Sequence, residues 1–240
     1  MRSRWLESSC GFNTVEGLVY LLTTYNGADA SNVIELEAGD YNLGETKMQE
    51  GAATLGDAQL SMSKIKLKGL GATCEATRLV GSGICRVLYM GGSTVLENLT
   101  VTNGNAKTIA GFSSSDRGGA VYGESSAVLT NCLFIGNTSK GFGGATAGDP
   151  KVYNCRFINN SSVNGGAAWG GSYYNSLFTG NSASSTGGAS YNVTLFDGCV
   201  ISNNTASSGA AVDDADVRIC PWRNVSRCRA KQAKREMILK

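Results

Sequence analysis

Apolar residues through the middle of this chain recur in short alternating runs, each about the length of a strand and each closed by Asn or Gly. One run reads NCLFIGNTS from 131, and the same pattern returns as NCRFINNSS at 154, NSLFTGNSA at 175 and GCVISNNTA at 198, with offsets of 23, 21 and 23 residues. A second marker keeps step with it: GGA at 118, 143, 165 and 187, then GAA at 209. Two markers holding one period identify an internal repeat rather than a local coincidence. A weaker upstream version, LENLTVTNG at 96–104, is separated from the regular repeats by a polar insertion at 105–116.

A period of about 22 residues is too short for paired helices and lacks leucine-rich-repeat spacing. With period-two alternation inside each unit, one repeat predicts one coil of a parallel β-helix, so equivalent residues stack about 4.8 Å apart along the axis. Phe134, Phe157, Phe178 and Ile201 then form one core column, and Leu129, Val152, Tyr173 and Phe196 a second. Cys132, Cys155, Ser176 and Cys199 share the inward face of the Phe column and read as small buried fillers with reduced thiols. Asn137, Asn160, Asn181 and Asn204 form a polar column at a bend, and Asn131, Asn154 and Asn175 another; both are assigned the left-handed backbone of a corner and side-chain bonds to neighbouring coils.

Before the coils, NTVEGLVYLLTTY at 13–25 predicts a short helix with Asn13 as N-cap, placed to cover the open first coil. NVIELEAGDYNL at 32–43 reads as a first strand, 44–63 as an excursion, and KIKLKGLG at 64–71 as the return to the sheet. The expected organisation is an N-terminal segment with the capping helix (1–32), a β-helix of about eight coils (33–216), and a basic tail (217–240) left open between helix and disorder. The fold class is therefore all-β, a single-stranded parallel β-helix.

Composition agrees: 32 Gly against 2 Pro, and only 17% charged residues, suit many tight turns and flat faces. The whole-chain charge of +2 hides an asymmetry, because residues 218–240 carry a net +7 and leave −5 for the rest. A short solvated basic end is the ordinary reading of such a tail, and no nucleic-acid partner is expected. No run of 18 apolar residues occurs, and GLVYLL at 17–22 is too short for a signal-peptide core, so a targeting signal is not expected within the chain. The eight Cys form no zinc-type pairs, and no metal is expected. Of the N-x-S/T triplets at Asn98, Asn137, Asn159, Asn160, Asn192, Asn203 and Asn224, most fall out of the corner columns themselves.

With the coils laid out, Gly118–Ala120 with Phe134–Asn137, Gly143–Ala145 with Phe157–Asn160, and Gly165–Ala167 with Phe178–Asn181 carry GGA followed by FxxN. This pattern resembles the repeats of the polymorphic outer-membrane-protein type, within the right-handed parallel β-helix superfamily that includes pectate lyases and bacterial surface passengers. The resemblance spans about residues 14–212. It implies a secreted or cell-surface protein, an adhesin or passenger fragment that meets a membrane only through flanking regions.

The superfamily also contains enzymes. Relatives that hydrolyse polygalacturonate carry paired aspartates and a His, and this chain has no His. Relatives that cleave by β-elimination bind Ca²⁺ through clustered carboxylates beside a basic residue; here Asp116, Glu124, Asp149, Asp197, Asp213, Asp214 and Asp216 do not fall in one column. Arg156 lies one column from Asp197, which reads as a surface ion pair. No catalytic residue is assigned. The binding candidates are Tyr122, Trp169 and Tyr191, which share a column with Ala147 two residues after each GGA. Asp213 in the same column places it outside, as an aromatic strip for a glycan or a protein partner, with an inward stack as the open alternative. Leu133, Ile135, Ile158, Leu177 and Val200 predict an apolar outer stripe, covered by the tail, a long loop or another chain. A polysaccharide lyase, with Ca²⁺ as its cofactor, and a structural spacer are the competing readings. Three converging carboxylates beside Lys or Arg would favour the lyase, and a water-facing aromatic column would favour binding.

Overall fold

The Gly- and Asn-punctuated runs fold as the period demands. The computed structural model describes residues 14–27, 32–44, 46, 58–108, 114–209, 211–218, 222–223 and 229–232. Every strand pairing among them is parallel and joins one repeat to the next, the arrangement of a parallel β-helix. A regular coil is built from four short strands, as in Val121–Gly123, Val128–Thr130, Leu133–Ile135 and Thr138–Ser139. Stacked, these give a 14-stranded sheet that wraps two sides, an eight-stranded sheet and a five-stranded sheet. The two sides of the long sheet join where Ser190–Asp197 runs straight through a corner that other coils break.

The predicted columns are present. Phe134 pairs in register with Phe157, Phe157 with Phe178, and Phe178 with Ile201. The rings stack at 5.0 and 4.5 Å between centroids, matching the strand spacing of about 4.8 Å. Tyr173 and Phe196 of the second column meet Phe178 edge-on at 5.3 and 5.2 Å, the perpendicular geometry that the ring quadrupole favours. Cys132, Cys155 and Cys199 are buried, and the Cys155 N–H donates to Ser176 Oγ at 3.1 Å. Burial pushes the Cys155 thiol well above its ordinary pKa.

The two Asn columns divide a task that the sequence assigned to both. Asn137, Asn160, Asn181 and Asn204 are buried and form a continuous ladder. In it, Oδ1 of Asn160, Asn181 and Asn204 each accepts the backbone N–H and Nδ2 of the preceding Asn at 2.9–3.1 Å. The left-handed backbone falls instead to the residue before each rung, Gly136, Asn159, Gly180 and Asn203, and to the exposed Asn131, Asn154 and Asn175. The division is physical: a side chain that must reach back into the core sits on ordinary backbone, and the corner itself is turned by its outward neighbour. Asn137 and Asn160 are therefore enclosed, and their N-x-S/T triplets are consequences of the ladder.

The GGA marker has an equally specific cause. Gly143 has φ +62, and a Cβ there would collide with the Thr146 carbonyl; a Cβ on Gly144 would collide with the backbones of neighbouring coils at Gly166 and Ser161. Ala145 fills the core beside them. The marker thus records a corner where three backbones close on one another.

The ends differ from expectation in detail. The helix runs Val15–Tyr25 with Thr14 as N-cap, its Oγ1 accepting the Gly17 N–H at 3.1 Å; Asn13 lies outside the described residues. Leu18 and Leu22 are fully buried in the core cluster, so the helix covers the first coil as predicted. Residues 32–43 form two strands rather than one, Asn32–Leu36 and Gly39–Asn42, in different sheets. The expected excursion is shorter than 44–63, because Ala58–Ser63 is a buried edge strand paired with Arg86–Gly91. In the basic segment, Trp222–Arg223 pairs with Ile201–Ser202, and Arg229–Gln232 pairs with Val212–Arg218. The described part of that segment is strand, not helix, and it supplies the eighth rung of the eight-stranded sheet beyond residue 216.

Candidate functional site

Alternation along the strands fixes which way the candidate aromatic column points. Val121, Ala168 and Ser190 are fully buried, and Tyr122, Trp169 and Tyr191, each one residue further on, are half-exposed on the outer face. Tyr191 pairs in register with Trp169 on one side and Asp213 on the other. The column therefore faces outward, and the inward stack is not what forms.

The strip contains more than the three residues read from the repeat. Tyr89 extends it by one rung, paired with Tyr122 at a centroid distance of 6.4 Å. Its hydroxyl donates to Glu124 Oε1 at 2.5 Å, and burial together with that carboxylate raises its pKa. The other Glu124 oxygen accepts the Gly92 N–H at 3.1 Å. Between Tyr122 and Trp169 the column holds only Ala147, which is fully buried. Arg117 and Phe142, both immediately before a GGA marker, lie beside this step. The Arg117 guanidinium is 4.6 Å from the Trp169 ring centre and 5.3 Å from that of Phe142. Phe142 in turn lies 5.7 Å from Trp169, tilted, and 6.2 Å from Tyr191, stacked.

Beneath the strip, Arg86 is buried to 1% exposure. Its guanidinium donates to the carbonyls of Ser114, Arg117 and Gly118 at 2.6–3.2 Å and sits 5.2 Å from the Tyr122 ring centre. Burial lowers its pKa to about 10, so it remains a cation at neutral pH. Arg86 ties the end of the polar insertion to the coil and fixes the backbone from which Arg117 projects.

Sequence reasoning missed Tyr89, Phe142, Arg117 and Arg86. Phe142 and Arg117 carried a usable signal, their common place one residue before GGA, which the isolated pairing Arg117 with Phe142 reproduces. Tyr89 was hidden because the polar insertion breaks the period. A second outward pair, Tyr153 and Tyr174, stacks at 4.8 Å and 10° on the neighbouring side.

One further expectation is corrected. Arg156 does not pair with Asp197, which lies in another sheet beside Tyr174. Arg156 reaches the loop between Ile65–Gly69 and Thr77–Val80, where it forms an ion pair with Glu75 and donates to Cys74 Sγ at 3.2 Å. The bond from Arg156 holds the Glu75 carboxyl at about 2, below the usual carboxylate range. Of the predicted apolar stripe, Leu133 is 6% exposed between Thr100 and Arg156, both of which meet Cys74 of that loop, and Ile135, Ile158, Leu177 and Val200 are half-exposed.

Among the described residues, no three Asp, Glu, His or Cys side chains converge as a metal-ligand group, and no helix is long and apolar enough to cross a membrane. The arrangement that does converge is cationic and aromatic. No protein-family model matches the chain, and no curated protein or solved structure is similar enough to count as a match.

Proposed function

We propose that this chain is a secreted or cell-surface binding module, a β-helix of the pectate-lyase-like superfamily with repeats of the polymorphic outer-membrane-protein type. It presents the Tyr122, Trp169 and Tyr191 strip to a glycan or protein partner. The observation that carries this reading is the outward, half-exposed row of large aromatic side chains on a continuous sheet. Tyr and Trp offer wide contact area with few rotors to immobilise, which is why they dominate binding surfaces. A sheet spanning many coils also holds them at fixed spacing, so little ordering entropy is lost on contact. Of the two features that discriminate the readings, a water-facing aromatic column is the one the described residues supply.

The experiment is a glycan-array and purified surface-protein screen with the wild-type chain, repeated with Trp169→Ala and Tyr191→Ala. Loss of at least about tenfold in affinity is expected from each variant, the effect of removing a central aromatic anchor. Ligands that bind both variants as tightly as wild type would remove the strip from the function. Unsaturated products released from uronate polymers in the presence of Ca²⁺ would replace the binding reading with the lyase.

A further inference from the structure

The aromatic strip contains a cation whose hydrogen-bonding edge is unused. Arg117 lies against Trp169 and Phe142 at 4.6 and 5.3 Å, and its Nε is buried without a hydrogen-bond partner. Among the described residues no carboxylate is within ion-pair distance of it. The two nearest in sequence are otherwise placed: Asp116 lies against Gly141, and Glu124 is taken by Tyr89 and Gly92. Arg117 is held beside two aromatic rings, its Nε enclosed and its guanidinium N–H groups without an acceptor among the described residues. A buried donor left without an acceptor destabilises the free chain, and a ligand that brings an acceptor to the guanidinium offsets that cost. Arg86, donating to the Arg117 carbonyl, keeps this side chain's backbone in place before any ligand arrives.

We propose that Arg117 receives a carboxylate from an acidic polypeptide segment lying along the Tyr122, Trp169 and Tyr191 strip. The inference rests on the binding reading above and names the partner's chemistry. A carboxylate matches the guanidinium fork with two parallel, charge-assisted bonds. A polypeptide is favoured over a sugar because sugar stacking needs open ring faces. Here Arg117 covers Trp169, and Phe142 lies against both Trp169 and Tyr191. The strip around this unpaired cation has the Tyr, Trp and Arg composition that concentrates binding energy in protein interfaces.

The test follows the Arg117 Nε–H and Trp169 indole N–H signals of the ¹⁵N-labelled chain, with the arginine signal assigned by its loss in Arg117→Lys. The probes are the capped hexapeptide Gly-Tyr-Glu-Glu-Tyr-Gly, its Gln-Gln counterpart, and trigalacturonate. The acidic peptide is expected to move both signals, to bind at least about tenfold more tightly than the Gln-Gln peptide, and to lose a similar factor in Arg117→Lys, which keeps the charge but not the fork. Equal binding of the two peptides, or no movement of the Arg117 signal, overturns the carboxylate. Tighter binding of trigalacturonate than of the acidic peptide overturns the polypeptide assignment. A ligand from the wider screen that needs Trp169 but ignores Arg117→Lys overturns this inference and leaves the strip as the binding face.

Discussion

Asn154 and Asn160 flank the same buried Phe157, yet one substitution separates them. Asn160 is fully enclosed; its Oδ1 accepts the Asn137 N–H at 3.0 Å and Nδ2 at 3.1 Å, and its Nδ2 donates to the Phe134 carbonyl and Asn181 Oδ1 at 3.0 Å each. Asn160→Gly leaves the Asn137 N–H without its acceptor, a loss of about 2 kcal/mol. The remaining bonds, the vacated volume and the added backbone entropy contribute roughly another 2 kcal/mol. Asn154 is exposed at φ +52. Asn154→Gly relieves left-handed strain of about 1 kcal/mol and adds a similar entropic loss, for a net change within about 1 kcal/mol. Urea unfolding followed by far-ultraviolet circular dichroism reads the difference. With a slope near 3 kcal/mol/M, Asn160→Gly moves the midpoint down by roughly 1 to 1.5 M, and Asn154→Gly by less than about 0.4 M. Equal shifts would refute the division of labour between ladder and corner.

Other outcomes follow from the same geometry. Phe157→Ala removes a ring stacked at 5.0 and 4.5 Å between Phe134 and Phe178 and costs about 3–5 kcal/mol, measured by calorimetry; a loss below about 1 kcal/mol would mean that the ring column does not hold the core. Gly143→Ala places a Cβ against the Thr146 carbonyl at φ +62 and is expected to abolish soluble folding or to lower the melting temperature by more than any exposed-site alanine; an unchanged melt would contradict the corner geometry. The Glu75 carboxyl is depressed to about 2 when folded, so its pairing with Arg156 stabilises above the unfolded value near 4.5 and fades as pH falls from there towards 2. The partners are well exposed, so the effect is below about 1 kcal/mol and weakens with salt. Melting temperatures from pH 6 to 2 should converge between wild type and Arg156→Gln, and a gap that stays constant with pH would contradict the assignment.

The period was legible because stacking makes chemistry repeat. Each Phe, small Cys or Ser and ladder Asn sees the same environment one coil later, so selection for packing writes the coil length into the chain. Two spaced markers were therefore enough to place Phe134 over Phe157 and to put Tyr122, Trp169 and Tyr191 in one column, whose outward facing the structure then decided. Contacts that cross the period leave no such record. Arg117 against Trp169, Arg86 beneath Tyr122, and Arg156 reaching Glu75 all join residues at unrelated offsets.

The sequence by itself therefore determined the β-helix, its rise, its core columns and the strip's position, since these depend on local alternation and a constant spacing. Only the tertiary structure decided which Asn column turns and which one bonds, how the apolar stripe is partly covered, and that an arginine sits within the strip. Those outcomes depend on where side chains of different coils converge, and one-dimensional spacing does not encode that distance.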